Sequence, residues 1–335
     1  MRKALRTVHS QRLARWLGED QAAQTACASR GFYWPLHVGN VPGEVFAYQG
    51  EFYGYIRGGG FTSLSDLIAE ATTGGKRQDW TWFKVGTVAV TGACSSHWRV
   101  GNVPSAAGAA SAIPAGDVPT RTTTGALGQS DAAGGDTLHF TTAQMLGGAA
   151  PNTLLIYDRI WQGQVLLNTT AAQSITGVPT RYATTTSPGN FCFMEVTTTL
   201  GTGAHTWTLQ YVDQAGNAAE NAAAITGISA CVANRIDEAT AGRWFIPLNA
   251  GDSGLRNATQ ITLSATIASG VVNIVIGHPL IMIPCPVSNS MVVMDGINSA
   301  FNLVQVLDGA AIAGLEIKGV ATATTFAGTL ILVSG

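Results

Sequence analysis

An alternating stretch over residues 258–276 constrains the fold more than any other feature of the sequence. In its first half, hydroxyl-bearing residues separate a series of apolar ones, namely Ile261, Leu263, Ala265 and Ile267. A period of two places apolar side chains on one face of a β-strand. Ser269-Gly270 then supplies two turn residues before a β-branched run, which predicts a β-hairpin. Pro279 and Pro284 follow, and they predict interruptions because proline has no N–H to donate to a central strand.

The composition extends this β-rich interpretation to the whole chain. Forty glycines and abundant threonine indicate short strands joined by turns, and no long amphipathic helical pattern occurs. We therefore predict a mainly β fold, an antiparallel, jelly-roll-like β-sandwich with a short N-terminal helix and a long irregular arm. Charged residues make up only 11% of the 335 residues, against about 25% in an average soluble protein. Such a neutral exterior is open to two interpretations, burial against neighbours in an assembly or solvation by hydroxyl groups.

The sequence predicts three regions. Residues 1–104 form an N-terminal arm and an aromatic-rich mixed region, residues 105–150 an Ala/Gly/Thr-rich arm or linker, and residues 151–335 the β-sandwich domain. The capping pattern that starts at Ser63 predicts one short helix. Strands are predicted at residues 80–85, 88–90, 154–161, 164–167, 191–197, 205–212, 244–247, 301–307, 315–317 and 329–333, in addition to the hairpin.

Two N-terminal features are candidates for contacts with partners. The first is a basic amphipathic segment that carries Arg2, Lys3, Arg6, Arg12, Arg15 and Trp16. We expect it to dock on its own or a neighbouring subunit, with packaged nucleic acid or a membrane surface as the alternatives. The second is the aromatic segment 31–55, in which Trp34 and Tyr53 are candidates for a subunit contact or a glycan platform.

No pattern in the sequence indicates catalysis, a metal site or a cofactor. The five cysteines lie far apart without ligand spacing, so we expect buried thiols. Gly251-Asp252-Ser253-Gly254 is similar to the nucleophile loop of chymotrypsin-like proteases, but Leu255-Arg256 follows it and no matching histidine motif precedes it, which favours a plain turn. Asp158 and Arg159 interrupt an apolar strand and predict paired or edge positions. The N-terminus lacks the apolar run of a signal peptide, so synthesis in a cytosol is expected, without insertion into a membrane.

Six strings distributed over the second half of the chain resemble virion structural proteins of tailed bacteriophages. They are Asn152-Thr-Leu-Leu-Ile-Tyr-Asp-Arg-Ile-Trp161, Thr176-Gly-Val-Pro-Thr-Arg-Tyr182, His205-Thr-Trp207, Tyr211-Val-Asp-Gln-Ala-Gly216, Trp244-Phe-Ile-Pro-Leu248 and Ile276-Gly-His-Pro279. The resemblance implies a β-rich, homo-oligomeric particle component without catalytic residues. It leaves the head, the neck and the tail of the particle open.

The resemblance and the sequence together favour a non-enzymatic decoration or cement protein of the capsid. No long charged helix of the kind that the usual major capsid proteins carry is present, and neither repeats nor a coiled coil indicates a tail fibre. The alternatives are a shell-forming jelly-roll capsid protein and a tail or adsorption protein that binds host glycan through aromatic residues. Expected partners are copies of the chain, the major capsid protein or other virion proteins, and packaged nucleic acid at the basic N-terminus. The expected location is the virion, assembled in the host cytoplasm.

Overall fold

The computed structural model describes residues 33–38, 41–48, 51–56, 61, 63–73, 75–182, 189–296 and 303–335. Within them the regular secondary structure is almost entirely β, with one nine-residue helix, α1 (Leu64–Thr72). The strands are β1 (Tyr33–Val38), β2 (Val41–Tyr48), β3 (Glu51–Ile56), β4 (Arg77–Val85), β5 (Cys94–Ser96), β6 (Asn102–Val103), β7 (Leu138–Gly147), β8 (Asn152–Val165), β9 (Gln173–Ser174), β10 (Phe191–Thr198), β11 (Thr206–Asp213), β12 (Glu220–Asn221), β13 (Ile225–Thr226), β14 (Leu255–Leu263), β15 (Val271–Cys285), β16 (Met291–Asp295), β17 (Gln305–Val306), β18 (Ile312–Lys318) and β19 (Thr325–Ser334). This content confirms the predicted fold class.

The chain divides into two compact units. The first comprises residues 1–76, 132–138 and 334–335, and it holds the antiparallel sheet β1-β2-β3 and the helix α1. The helix begins where the sequence predicts it, because the Ser63 side chain accepts a hydrogen bond from the Asp66 backbone N–H at 3.1 Å. The second unit, residues 77–131 and 139–333, carries the other three sheets.

A sandwich of two antiparallel sheets forms the centre of the second unit. The first sheet has the order β10-β15-β8-β18-β5, and the second has the order β12-β11-β14-β9, with β13 also paired to β11. In β11 the large residues Trp207, Leu209 and Tyr211 are buried on one face, as the alternation predicts. They pack with Ile261 of β14 and with Ile274 of β15 across the sandwich. This shared core confirms the prediction of two packed antiparallel sheets.

The predicted hairpin over residues 258–276 is wrong. Strand β14 pairs with β11 and β9 in the second sheet, whereas β15 pairs with β10 and β8 in the first. The connection between them crosses from one sheet to the other, and Ile267 donates its N–H to the Leu167 carbonyl at 2.9 Å on the way. Gly270 does adopt a turn conformation with φ +109°, and a Cβ there would lie 2.6 Å from Leu200. Turn chemistry is therefore present, but it serves a crossover between sheets.

Strand β15 also continues through the prolines that were predicted to interrupt it. Up to Gly277 it is hydrogen-bonded to β10 on one side and to β8 on the other. Beyond that point β8 is its only strand partner among the described residues, with Pro279 opposite Tyr157 and Pro284 opposite Thr153. Proline is tolerated in a strand whose N–H side needs no partner. The long strand persists because its proline-containing half is an edge.

The first sheet curls until its two outer strands are bridged by one irregular segment. Residues 234–237 supply the bridge: Arg235 pairs with Ser95 of β5, and Ile236 pairs with Glu195 of β10. The enclosed face buries aromatic residues such as Tyr157 and Phe193. This nearly closed arrangement leaves neither outer strand of the first sheet as a free edge.

The third sheet, in the order β16-β7-β19-β4-β6, corrects the prediction of an arm or linker at residues 105–150. Its strand β7 occupies residues 138–147, between β16 and β19. Residues 105–137 are mostly irregular, but they are tied to the sandwich by hydrogen bonds such as Ile113 N–H to Gln164 (3.0 Å) and Leu127 N–H to Ile312 (3.1 Å). Ile113 and Leu127 are buried. Deletion of residues 105–148 is therefore expected to disrupt this sheet. Deletion of an independent arm would have left the fold intact.

Other local predictions have mixed outcomes. Strands predicted at residues 80–85, 191–197, 315–317 and 329–333 are present, whereas residues 88–90 and 244–247 are irregular and residues 164–167 largely merge into β8. The prediction for residues 301–307 lies partly outside the described residues, which contain only the short β17 there. Four cysteines are buried free thiols, Cys94, Cys192, Cys231 and Cys285, whereas Cys27 lies outside the described residues. In the described part of the chain, no helix has the length and apolar character needed to span a membrane.

Candidate functional site

The strongest candidate for an interaction surface is the outer edge of the third sheet. Among the residues that the structure describes, strand β16 is the last strand of that sheet and pairs on one side only, with β7. Met291 and Val293 project from it with 53% and 58% of their surface exposed, and Val287 in the preceding turn is also exposed. We call Val287, Met291 and Val293 the apolar edge. An edge strand offers unpaired backbone N–H and C=O groups to another strand.

The apolar edge lacks the features that usually prevent strands from pairing between molecules. Residues 257–294 contain no Asp, Glu, Lys or Arg, and β16 contains no proline. The one charged residue of the strand is Asp295, at its end. Proteins that stay monomeric commonly protect such edges with lysine, proline or a bulge. This segment therefore fits a surface that is covered by a partner.

A groove in the second unit is a second candidate site. It encloses about 400 Å³, and three short segments form its walls, residues 189–191, 244–248 and 252–254. Trp244 packs edge-on against Phe191 at 4.5 Å between ring centroids, and Phe245 packs against Trp244 at 4.9 Å. Met282 of β15 completes the apolar lining. Because the end of β15 also contacts β16, this groove and the apolar edge occur on neighbouring strands.

Hydrogen bonds to β10 and its preceding residues hold the walls of the groove in place. Ile246 donates its N–H to the Cys192 carbonyl at 2.7 Å, and Leu255 donates to the Asn190 carbonyl at 3.2 Å. Position 254 requires glycine because two backbone segments approach each other closely there. A Cβ on Gly254 would lie 2.4 Å from the backbone nitrogen of Gly189. The groove is thus built by the sandwich and does not depend on a long free loop.

The side chain of Asn190 is held by a half-buried histidine, His278. His278 Nδ1 lies 2.8 Å from Asn190 Oδ1, and the imidazole stacks on the Tyr182 ring at 3.9 Å. Burial lowers the pKa of His278 to about 4, so its ring is neutral at pH 7. A neutral imidazole can donate from Nδ1, and the amide oxygen can accept this hydrogen bond.

One acidic cluster could hold a cation by its donor set. Asp213, Glu220 and Asp252 each place a carboxylate oxygen within 4.8 Å of the others, and Asp252 also lines the groove. These oxygens already have hydrogen-bond partners within the chain. The Tyr211 hydroxyl donates to Asp252 and lies 3.3 Å from Glu220 Oε2, and Asp213 accepts from the N–H groups of residues 216 and 217. The hydroxyl and amide groups are sufficient to explain the cluster as a turn-stabilising network.

A buried ion pair supports the strands that carry the groove. Arg159 of β8 and Glu195 of β10 form two parallel hydrogen bonds of 3.0 and 2.6 Å, and both side chains are buried. Asn273 of β15 donates to the same carboxylate at 3.3 Å. Burial alone would raise the pKa of Glu195, but the guanidinium and the hydrogen bonds hold it below its ordinary value. The pairing predicted for Asp158 and Arg159 is confirmed, since Asp158 is paired with Arg181 at 2.7 Å.

The candidate contact residues from the sequence do not coincide with these two surfaces. Arg2, Lys3, Arg6, Arg12, Arg15 and Trp16, with the predicted N-terminal helix, lie outside the described residues. Trp34 lies in β1 and Tyr53 in β3, opposite Val45 and Phe46 of β2 respectively. Their roles as contact residues stay predictions.

Three residues of the Gly251–Gly254 string, Asp252, Ser253 and Gly254, line the groove without a catalytic arrangement. The Ser253 backbone N–H donates to Gln214 Oε1 at 3.1 Å, and among the described residues no histidine hydrogen-bonds Ser253. In the sequence, the groove residues at 244–248 were singled out as one string of the family resemblance and, at 244–247, as a strand, but not as a pocket wall. Their aromatic spacing could have indicated a pocket, but the partner residues come from distant parts of the chain.

Comparisons with known proteins give little further information. No family model matches the chain, and no curated protein matches it. Among solved structures, the chain is similar to "Structure of infectious bursal disease virus Gx strain", with 10% identity over 77% of this chain and 80% of that chain, at a TM-score of 0.17. It is also similar to the VP2 subviral particle of infectious bursal disease virus, with 9% identity over the same shares, at a TM-score of 0.15. Likeness at this level carries no argument about fold or function.

Proposed function

We propose that this chain is a non-enzymatic structural protein of a virus particle that assembles with copies of itself through the apolar edge. One observation carries the proposal: β16 is an edge strand with two highly exposed apolar side chains in a segment of 38 residues without charge. Exposing such an edge to water is costly, and pairing it with another strand satisfies the backbone and covers the side chains. The low charge of the whole chain fits the same role, since little repulsion opposes close packing of copies.

At a finer level we propose a decoration or cement protein of a tailed bacteriophage capsid. The resemblance of the strings in the second half of the chain supports this assignment. The helix content supports it too, because the single helix of the described residues spans only nine residues, far from the long spine helix of the usual major capsid protein. Expected partners are copies of the chain and the major capsid protein or other virion proteins, with no membrane. The basic N-terminus is the proposed contact with packaged nucleic acid, and the proposed location is the virion, assembled in the host cytoplasm.

The experiment is a measurement of molar mass by light scattering over a range of protein concentrations. The full chain is expected to form a discrete oligomer. Val293→Lys places a charge in the apolar edge and is expected to shift the mass toward the monomer. Leu166→Lys is the matched control, since Leu166 is 48% exposed but follows β8 and does not belong to the edge. It is expected to retain the oligomer.

Two results would contradict the proposal. If the wild-type chain stays monomeric at all concentrations, it does not assemble with copies of itself. If both lysine variants lose molar mass equally, the apolar edge is not the surface through which the copies assemble. The finer assignment is tested by adding capsids that were assembled without this chain. Co-sedimentation supports a cement role, shells formed by the chain alone would instead support the jelly-roll alternative, and binding to host cells without capsid binding would support adsorption.

A further inference from the structure

We propose that the groove between residues 189–191, 244–248 and 252–254 is a binding site for a neutral carbohydrate, which is a function beyond self-assembly. Its volume of about 400 Å³ lies within the usual range of small-molecule pockets, about 300–1,000 Å³. The groove lies wholly within the second unit. Its lining combines an aromatic side and a polar side.

The aromatic side matches the apolar face of a sugar ring. Trp244 is half-buried, and Phe245 is 37% exposed at the groove. One face of a pyranose ring presents mainly C–H groups, which pack favourably on an aromatic surface. Because Trp244 is packed edge-on against Phe191 and Phe245, its orientation is set before a ligand arrives. Such pre-organisation reduces the entropy lost on binding.

The polar side matches the hydroxyl groups of the same ring. Asp252 and Ser253 both line the groove, and Asp252 uses its Oδ2 to accept from the Tyr211 hydroxyl. Among the described residues, neither Asp252 Oδ1 nor the Ser253 hydroxyl has a hydrogen-bond partner. An ionised carboxylate only accepts hydrogen bonds, whereas a serine hydroxyl both donates and accepts. Sugar hydroxyls can satisfy both groups.

The charges of the lining decide between neutral and anionic ligands. Within the described part of the chain, no Lys or Arg lines the groove, and its one ionisable lining residue is Asp252. Phosphate, sulfate and carboxylate ligands are recognised chiefly by Arg, Lys or clustered backbone N–H groups. A negative side chain beside a dry aromatic surface therefore disfavours acidic sugars and phosphorylated ligands. The lining favours an uncharged hexose or N-acetylhexosamine.

The experiment is saturation-transfer NMR on the full chain with a panel of free sugars: glucose, galactose, mannose, N-acetylglucosamine and N-acetylgalactosamine. We expect at least one sugar to receive saturation, most strongly at its ring C–H protons. Phe245→Ala is expected to weaken that binding at least ten-fold. Phe83→Ala is the matched control, because Phe83 is 38% exposed on β4 and does not line the groove. It is expected to bind as the wild type does.

A second variant distinguishes loss of sugar binding from loss of the fold. Asp252→Asn keeps an oxygen for the Tyr211 hydroxyl but removes the carboxylate charge, and it is expected to weaken sugar binding while the unfolding curve stays cooperative. The proposal is overturned if no sugar of the panel binds, or if both phenylalanine variants lose binding equally. It is also overturned if N-acetyl-phenylalanine amide binds the groove and no sugar does, since the occupant would then be an apolar protein side chain. The mass in light scattering should not change in Phe245→Ala, so this test is independent of self-assembly.

Discussion

Removal of the carboxylate of Glu195 should be among the most destabilising single changes in the second unit. Glu195 is the buried partner of Arg159 and accepts two of its hydrogen bonds. In Glu195→Ala the guanidinium keeps the Tyr157 hydroxyl and Gln162 as partners but loses its counter-charge. Breaking a buried ion pair in this way costs about 3–5 kcal/mol. A loss of that size is a large fraction of the ~5–15 kcal/mol by which domains are stable.

The assay is equilibrium unfolding in urea, followed by tryptophan fluorescence. Two further variants separate the charge effect from packing. The double variant Arg159→Met, Glu195→Leu removes both charges and is expected to recover most of the loss, because an apolar pair of similar volume needs no charge compensation. Asp79→Ala breaks the exposed pair with Arg77 and is expected to cost ~1 kcal/mol or less.

Two results in the ranking of these variants by unfolding free energy would refute this reasoning. If Glu195→Ala costs no more than Asp79→Ala, the pair is not buried as described. If the double variant is less stable than Glu195→Ala, the loss comes from packing and not from an uncompensated charge. Either result would require a different account of how the first sheet is held together.

Two further predictions concern pH and backbone packing. Burial alone would lower the pKa of His205, but the hydrogen bond and charge of Asp237 raise it above its ordinary 6.5. The stabilisation that the interaction of His205 with Asp237 contributes is therefore complete below about pH 6.5, and it is lost as the pH rises through the higher pKa of the folded state. The free energy of unfolding should fall over that pH range in the wild type and stay flat in Asp237→Asn. In β19, a Cβ on Gly328 would lie 1.9 Å from the Gln144 carbonyl oxygen, whereas one on Gly101 would meet nothing within 4 Å. Gly328→Ala should cost about 1–3 kcal/mol in urea unfolding and Gly101→Ala close to nothing, and equal effects would contradict this packing.

The sequence predicts individual strands well because the alternation of side chains is a local property. Strand β11 illustrates this, since Trp207, Leu209 and Tyr211 follow the period of two and are buried together. The pairing of strands is not local. The alternating residues of β14 and the β-branched run of β15 satisfy the pattern of a hairpin, yet their partners are β11 and β8, about 50 and 110 residues earlier in the chain.

Composition misleads where small residues pack against a sheet. Residues 105–137 are rich in Ala, Gly and Thr and predict an arm, but their backbone groups bond to the sheets and a few apolar residues such as Ile113 anchor them. The candidate sites depend on assembly of the fold in the same way. The groove joins residues from five separate segments, and the apolar edge is recognisable only once β16 is known to be the last strand of its sheet.

The most direct test of the central proposal is hydrogen–deuterium exchange of the full chain, measured at dilution and in its assembled state. Pairing of β16 with another copy would bury those amide groups of residues 291–295 that have no partner within the third sheet. The account predicts that peptides covering these residues gain protection on assembly, while peptides covering residues 163–172, around the control position Leu166, do not. An assembled state in which residues 291–295 exchange as fast as they do at dilution would contradict it.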